Sequence, residues 1–473
     1  MLRGDQVVQE LPWRWSVQGK IFLIGGLGFA FDAWDVALTG VMLPLLTRDF
    51  ALRGLEQGLF AASSLAGMAV GAFCWGTIGD VLGRKRAFTV TLLIFSLFSL
   101  IGALSPSFWF LLATRFLAGV GLGGCIPVDY AIVAEFTPRA IRGRVLAGLD
   151  LWWPVGATAC GLAAIAFAPL HSWRVMLLAM VLPALLTFWV RRSVPESPLF
   201  LASEGRNDEA RVVINDLITR TGAQVQPWDV TRPPRTERET PAVLVRKFRE
   251  VWAYDWRATS AAWGIIVTVL VLYYGALVWL PTILRRQGVG DTASFAVSTG
   301  FTAIGLVGVV LSAWLVDAVG RKWTIIVSAV LAAGSMVAFA AMLGFSGARL
   351  FWILVFGLVI EITIPAVYCY VPELYPTPLR ASGFGWANTA SRVASALVPV
   401  LFGAVLWPVL GLTWTFVLVG LLVCASMVWL AIAGPETRGV RLDADESGDE
   451  PTGGATVTAP EGTGRGVGTV GEA

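Results

Sequence analysis

The chain has 473 residues, 56% of them hydrophobic and 14% charged, with a mean hydropathy of +0.71. A soluble domain carries roughly 25% charged residues, so a water-soluble enzyme and a disordered protein are both excluded. The formal charge of +3 is too small to call for a nucleic-acid partner.

In chain order, residues 1–16 form a polar lead-in, too polar for the apolar core of a signal peptide. Apolar runs follow at 17–46, 57–79, 87–105, 108–134, 144–168 and 173–191. A second set lies at 257–284, 293–316, 323–344, 350–372, 382–407 and 411–433. Twelve spans of about 20 residues need roughly 240 residues, which the chain supplies. Backbone groups left unpaired in hydrocarbon are costly, so these runs are expected to be helices. They are too long and too uniformly apolar for barrel strands. The stretch 192–256 is polar and reads as a central loop, with one or two short helices within SEGRNDEARVVINDLITRTGAQV and linker elsewhere. The segment 434–473 is acidic and then rich in Gly and Thr, with little to bury, so it is expected to be largely disordered.

An even number of spans puts both termini on one face. The short loops of that face, around Arg84–Arg86, Arg139–Arg144, Arg321–Lys322 and Arg380, carry more Lys and Arg than the opposite loops. The positive-inside tendency therefore places both termini and the central loop in the cytoplasm. Cys74, Cys125, Cys160, Cys369 and Cys424 all sit in apolar runs without metal-ligand spacing. His171, the single histidine, lies in a short polar turn and reads as structural. No GxxxxGK[ST] run is present, so no ATP site, cofactor or metal is expected.

The two halves repeat. Asp80, Gly83 and Arg84 in GTIGDVLGRKR recur as Asp317, Gly320 and Arg321 in AWLVDAVGRK, 237 residues on. Glu135 and Arg142 in AEFTPRAIRGR recur as Glu373 and Arg380 in PELYPTPLRASG, 238 residues on. Pro195 and Glu196 in VPESP recur as Pro435 and Glu436 in GPETRG, 240 residues on. Three blocks in the same order at nearly constant spacing describe two matched six-helix halves, the plan of carriers that expose one midplane site alternately to each side. Asp beside Arg at helix ends forms charge-assisted bonds between neighbouring helices. Asp80, Arg84, Glu135, Arg142, Asp317, Arg321, Glu373 and Arg380 are therefore expected to gate the terminal face.

These blocks resemble the major facilitator superfamily over about residues 17–439. DVLGRKR and DAVGRK resemble its loop 2–3 signature and second copy, and PESP and PETRG resemble the ends of spans 6 and 12 in the sugar-porter-like branch. FAFDAWDVALTGVMLP, GLGGCIPVDYAIVAEFTPRAIRGR, YYGALVWLPTIL and VPELYPTPLRASGFGWANTASR resemble bacterial nicotinate carriers and related metabolite:proton symporters, including aromatic-acid carriers and the synaptic-vesicle glycoprotein 2 branch. The resemblance implies an all-α membrane protein with twelve transmembrane helices in two pseudo-symmetric bundles, in the cell membrane. It also implies a small organic substrate, often an aromatic carboxylate such as nicotinate, moved with protons. GLDLWWPVGATACG only partly resembles the drug:proton antiporter motif. Efflux of a drug or organic cation and a non-transporting binding protein are the two alternatives. No obligate protein partner is expected.

Ionisable groups at membrane depth line a cavity or pair with one another. Asp32 and Asp35, three apart on span 1, share a helix face, and two such carboxylates resist ionising together in low dielectric. They are candidates for proton coupling, with Asp129 and Glu361. Arg392, mid-span, offers a two-point contact to a substrate carboxylate, or else pairs with Glu361. Arg115 faces substrate or pairs with Asp32 or Asp35. Asn388, Tyr273 and Trp386 complete the expected binding set. Gly119, Gly121, Gly123 and Gly124 are read as close-packing positions.

Overall fold

The computed structural model describes residues 2–438, apart from 183–184, 186–188, 191–192, 224–226 and 231–240. The acidic tail beyond 438 lies outside these residues, and so does the side chain of Asp80. Spans 1–3 are the helices Lys20–Phe50, Gly54–Leu82 and Arg84–Ala103. Spans 7–10 are Trp256–Arg286, Asp291–Ala318, Arg321–Ala341 and Ser346–Glu373. Span 11 is Thr377–Leu401, and span 12 is Trp407–Ala433 with a kink at Gly411, where φ is 75°. Among the described residues, eight helical stretches are individually long and apolar enough to cross a membrane, the last of them, Pro378–Ala433, containing both spans 11 and 12. Large apolar side chains such as Trp109, Leu162, Trp314, Trp414 and Ile432 point outward, more than half exposed, as a lipid-facing surface requires.

Three spans are less regular than the apolar runs imply. Span 4 is split into Phe108–Leu122 and Cys125–Phe136 by a turn at Gly123 and Gly124. Span 5 is split into Arg142–Leu149 and Trp152–Phe167 at Asp150 and Leu151. Span 6 begins as Trp173–Leu178 and passes into a 3-10 turn, Ala179–Val181, before much of it leaves the described residues.

The spans fall into two bundles, one from each repeated half. Within the first half, spans 2 and 4 lie close together because their glycines alternate. A Cβ on Gly67 or Gly71 would run into the backbone of Phe116 or Val120, and one on Gly119 or Gly123 into the backbone of Ser64 or Met68. Each Gly-x-x-x-Gly pair thus seats the other helix. Between the halves, span 1 packs on span 7, span 2 on span 11 and span 5 on span 8.

The polar segment between the halves is more ordered than its composition implies. Its middle forms one helix where the sequence allowed one or two, Asn207–Thr221, and a further short helix, Pro198–Ser203, precedes it. Leu2–Arg3 pairs in parallel with Trp228–Asp229, the one strand contact among the described residues. A third helix, Pro241–Tyr254, occupies what reads as linker. Leu244, Phe248, Val251 and Trp252 recur at helical spacing, and the Phe248 ring stands 5.1 Å from Trp386 and 6.2 Å from Trp263.

Replacing Gly119 by Ala should force the Ser64 backbone away and destabilise the first bundle by about 1–3 kcal/mol, the scale of overpacking. The check is the apparent melting temperature of the detergent-purified protein. An unchanged value would show that spans 2 and 4 are not seated by these glycines.

Candidate functional site

On the face that carries the termini, the duplicated blocks build two corresponding charge clusters. In the second half, Arg321 Nε lies 3.2 Å from Glu373 Oε2 and Arg321 Nη1 lies 3.3 Å from Asp317 Oδ1. Glu436 accepts from the Arg321 backbone N–H at 2.9 Å, and the Thr437 hydroxyl donates to Glu373. In the first half, Arg84 Nε lies 3.4 Å from Glu135 Oε1, Glu196 accepts from the Lys85 backbone N–H at 3.1 Å, and Ser197 lies beside Glu135. Gly83 (φ 90°) and Gly320 (φ 109°) sit at the same place in each cluster. A Cβ there would lie 2.7 Å from Glu196 Oε2 or 2.8 Å from Glu436 Oε2. Glycine is therefore required twice over, by backbone conformation and by the approach of the carboxylate.

Arg142 and Arg380 are placed differently. Arg142 donates to the Thr137 carbonyl at 3.4 Å and its buried Nε has no partner, while Nε and Nη2 of Arg380 are buried without hydrogen-bond partners among the described residues. Both clusters tie spans of the same half together rather than one half to the other. Glu196, Glu436, Ser197 and Thr437 belong to them. The first two lie in the third repeated block, which is the signal that marks them.

At the midplane the structure separates the two span 1 aspartates. Asp35 is fully buried and lies 2.7 Å from Arg115, itself 1% exposed. Asp35 also accepts from the Ser64 hydroxyl, and Arg115 donates to Thr39 at 3.1 Å. Ser64 carries no sequence signal of this contact. Asp32 is equally buried, yet neither of its oxygens has a hydrogen-bond partner among the described residues. The same holds for Asp129 on span 4, which packs against Gly25 and Gly28 one turn along span 1 and lies within electrostatic range of Asp32.

Across from Asp32, the second half presents Arg392, half-buried, with Tyr274, Tyr368 and Asp32 as its electrostatic neighbours. Arg392 forms no ion pair among the described residues, with Glu361 or otherwise. Asn388 lies 3.5 Å from the Tyr368 hydroxyl. Tyr273, within electrostatic range of Glu361, accepts from the Trp153 indole N–H at 2.8 Å. Aromatic rings wall this space. Trp153 stands 5.7 Å from Phe29, 6.1 Å from Tyr274 and 6.5 Å from Tyr273, and Phe29 stands 6.0 Å from Tyr130. Tyr273 and Asn388 thus join Arg392 at the boundary. Arg115 is engaged by Asp35, and Trp386 is placed elsewhere, against Phe248.

The halves meet toward the face opposite the termini. There Gly54 abuts Gly403, Gly58 abuts Pro399 and Val400, and Gly40 abuts Leu277 and Val278. Arg286 donates to Gln57 at 3.3 Å and covers the Trp407 ring at 4.0 Å. His171 adds a link, its Nδ1 lying 3.5 Å from Asp291 of span 8, which Arg285 also engages.

A family model described as "Sugar (and other) transporter" matches residues 23–446. The niacin transporter NiaP of Acinetobacter baylyi is 32% identical over 425 residues, covering 88% of this chain and 94% of that one. A putative niacin/nicotinamide transporter of Bacillus subtilis is 28% identical, covering 90% and 98%. Among solved structures, the xylose transporter XylE of E. coli in a partially occluded inward-open conformation matches with a TM-score of 0.73 at 18% identity, over 90% of this chain and all of that one. The chain belongs to the sugar (and other) transporter family of the major facilitator superfamily; it is a membrane transporter and not an enzyme.

Removing one member of a buried ion pair strands the other, at about 3–5 kcal/mol. Arg115→Ala should therefore lower the apparent melting temperature sharply, and Asp35→Asn added to it should restore part of the loss. Equal destabilisation by the single and double variants would show that the two residues do not pair.

Proposed function

We propose that this member of the sugar (and other) transporter family carries a small aromatic carboxylate, nicotinate or a close analogue, together with protons across the cell membrane. The termini and the central segment lie in the cytoplasm. The observation that carries this reading is Arg392, a mid-span guanidinium with no ion pair among the described residues, held beside Tyr274 and Tyr368 at the boundary between the halves. Guanidinium binds a carboxylate through two parallel N–H bonds. Trp153, Tyr273, Tyr274 and Phe29 supply the apolar walls that a flat ring needs. The relatives named for niacin and benzoate support the substrate class, and the proton:xylose symporter among the structural neighbours supports the symport fold.

Proton coupling falls to groups whose charge has no local answer. Asp32 faces Arg392 without touching it, so the two compete with ligand and proton for neutralisation. A proton on Asp32 frees Arg392 for the substrate anion, and the loaded site then carries less net charge while the halves turn over. Asp129, one helix away, extends the same acidic patch. Asp35 is already engaged by Arg115 and Ser64. Contacts toward the face opposite the termini, with the cytoplasmic clusters confined within each half, fit a carrier open to the cytoplasm. Arg84–Glu135 and Arg321–Glu373 then hold the helix ends that must come together when that side closes. Arg142 and Arg380, half-buried and each with a buried nitrogen unpartnered among the described residues, are available to bridge the halves in that form.

Two unpartnered carboxylates beside aromatic rings, Asp32 and Asp129, favour a second reading, export of an organic cation. Proteoliposomes given labelled nicotinate, benzoate, xylose or a cationic dye under an imposed proton gradient separate the two. Accumulation of nicotinate or benzoate under an inside-alkaline gradient is the expected result. Expulsion of dye without acid uptake would replace it with the cation reading, and binding without flux would make the chain a non-transporting binding protein.

In the same assay Asp32→Asn should lower gradient-driven accumulation much more than substrate exchange, since exchange needs no net proton movement; equal accumulation by variant and parent would remove Asp32 from coupling. Arg392→Ala should weaken nicotinate binding roughly 10- to 100-fold, the range for a lost charge-assisted bond. Unchanged affinity would place the carboxylate elsewhere.

A further inference from the structure

Spans 4 and 5 are both broken, for different reasons. In span 4 the Trp75 indole of span 2 presses against Gly124, where a Cβ would lie 2.4 Å from the ring, and its N–H takes the Val120 carbonyl at 2.9 Å. The Gly124 N–H turns instead to the Gly121 carbonyl at 3.3 Å. A side chain inserted into the backbone ladder in this way kinks a helix. In span 5 the Asp150 N–H bonds the Ala147 carbonyl and the Trp153 N–H bonds the Asp150 carbonyl, each at 3.2 Å. These are the three-residue bonds of a 3-10 turn, which advances about 120° per residue against about 100° in an α-helix. The turn therefore rotates the outer piece, Trp152–Phe167, relative to the inner piece, Arg142–Leu149. Two adjacent tryptophans are sent to different neighbours as a result. Trp152 packs on Gly26 of span 1, while Trp153 reaches the Tyr273 hydroxyl of the second half at 2.8 Å.

Asp150 stands in that turn with its backbone and its side chain both engaged. Its carbonyl receives the Trp153 N–H, and its carboxylate receives the Tyr130 hydroxyl, from the inner piece of span 4, at 2.7 Å. We infer that Asp150, clasped by Tyr130, is a positioning residue for the aromatic wall: it fixes the turn that aims the Trp153 indole at the second half, and so favours a flat ring over a puckered one. The inference rests on the aromatic-carboxylate reading above and gives a role to a carboxylate that the reading leaves unused. Asp150 acts through Trp153 and not on the ligand itself. Hydrogen bonds to an ionised acceptor are among the stronger ones, so the Tyr130 hydroxyl is a firm tie between the inner piece of span 4 and the turn. Without it the Trp153 ring gains freedom in the wall that it shares with Phe29, Tyr273 and Tyr274, whose rings stand 5.7, 6.5 and 6.1 Å away. A planar aromatic ligand draws on offset or edge-to-face contact with such rings. A saturated ring draws only on their apolar surface, and loses less when one of them is misaligned.

The test has one arm without ligand and one with it. The chain is produced with 5-fluorotryptophan at its 21 tryptophans and placed in nanodiscs, and the fluorine resonances of Trp152 and Trp153 are assigned by their loss in Trp152→Phe and Trp153→Phe. Without ligand, Tyr130→Phe and Asp150→Ala should each move or broaden the Trp153 resonance and leave that of Trp152 in place. Asp150→Asn should keep both near the parent positions, because its carboxamide oxygen still accepts the Tyr130 O–H. With ligand, Tyr130→Phe and Asp150→Ala should weaken nicotinate binding roughly three- to tenfold, the range for a lost aromatic contact, and change binding of cyclohexanecarboxylate less than about twofold. A Trp153 resonance that ignores both variants overturns the inference. So do Trp152 and Trp153 resonances that move together, as a general loosening of span 5 would make them, and so does equal weakening of both acids. A parent that binds neither acid overturns the nicotinate reading, and the Trp153 resonance then decides the positioning role alone. Should Asp150→Ala fail to fold, Tyr130→Phe decides on the same criteria.

Discussion

Charge buried in an apolar, lipid-embedded interior must be answered by an opposite charge, a hydrogen bond or a proton. That constraint sorts the ionisable residues of this chain more sharply than their positions do. Asp35 and Arg115 answer one another and fix span 1 to span 4, with Ser64 of span 2 completing the contact. Asp32, Asp129 and Arg392 are left without such answers in the described structure. These three groups at the boundary of the halves are the ones that the proposed transport reading assigns to ligand and protons.

The pseudo-symmetry of the chain is carried by chemistry as well as by topology. Each half contributes an Arg–Glu pair, a second Glu that accepts from the backbone at a helix start, a hydroxyl residue next to that second Glu, and a glycine whose missing side chain admits the second Glu. The central site breaks this symmetry. The first half supplies the acids of spans 1 and 4, and the second supplies Arg392, the tyrosines and Glu361. Duplication explains the matched ends, where the same helix-to-helix joint is needed twice. A site that recognises a polar ligand from both sides has no need of matching halves.

The fold was legible in the sequence because its two signals, long apolar runs and repeated Asp-Gly-Arg, Glu-Pro-Arg and Pro-Glu blocks, are local and strong. The close-packing role of Gly119 and Gly123 was legible for the same reason. Much of the site was not. Asp32 and Asp35 are three residues apart and chemically identical, and only the residues opposite them, Arg115 and Ser64, distinguish paired from unpaired. Tyr273 and Trp386 are both mid-chain aromatics. The first bonds Trp153 of the other half, whereas the second packs on Phe248. That partner sits in a helix at 241–254, hidden by the charged, proline-rich stretch before it, although Leu244, Phe248, Val251 and Trp252 carried its period. Trp153 itself stood in plain sight in GLDLWWPVG, but nothing in its neighbourhood marks which of two adjacent tryptophans faces the other half.

A carrier that works by rocking its halves must open and close the face opposite the termini in every cycle. Gln57 and Arg286, in hydrogen-bond contact there from different halves, offer a direct handle. With the native cysteines replaced and Gln57→Cys and Arg286→Cys introduced, a short reducible bifunctional thiol reagent should halt substrate uptake into proteoliposomes, and reduction should restore it. Uptake at the unmodified rate by fully cross-linked protein would contradict alternating exposure of a shared site between the two halves.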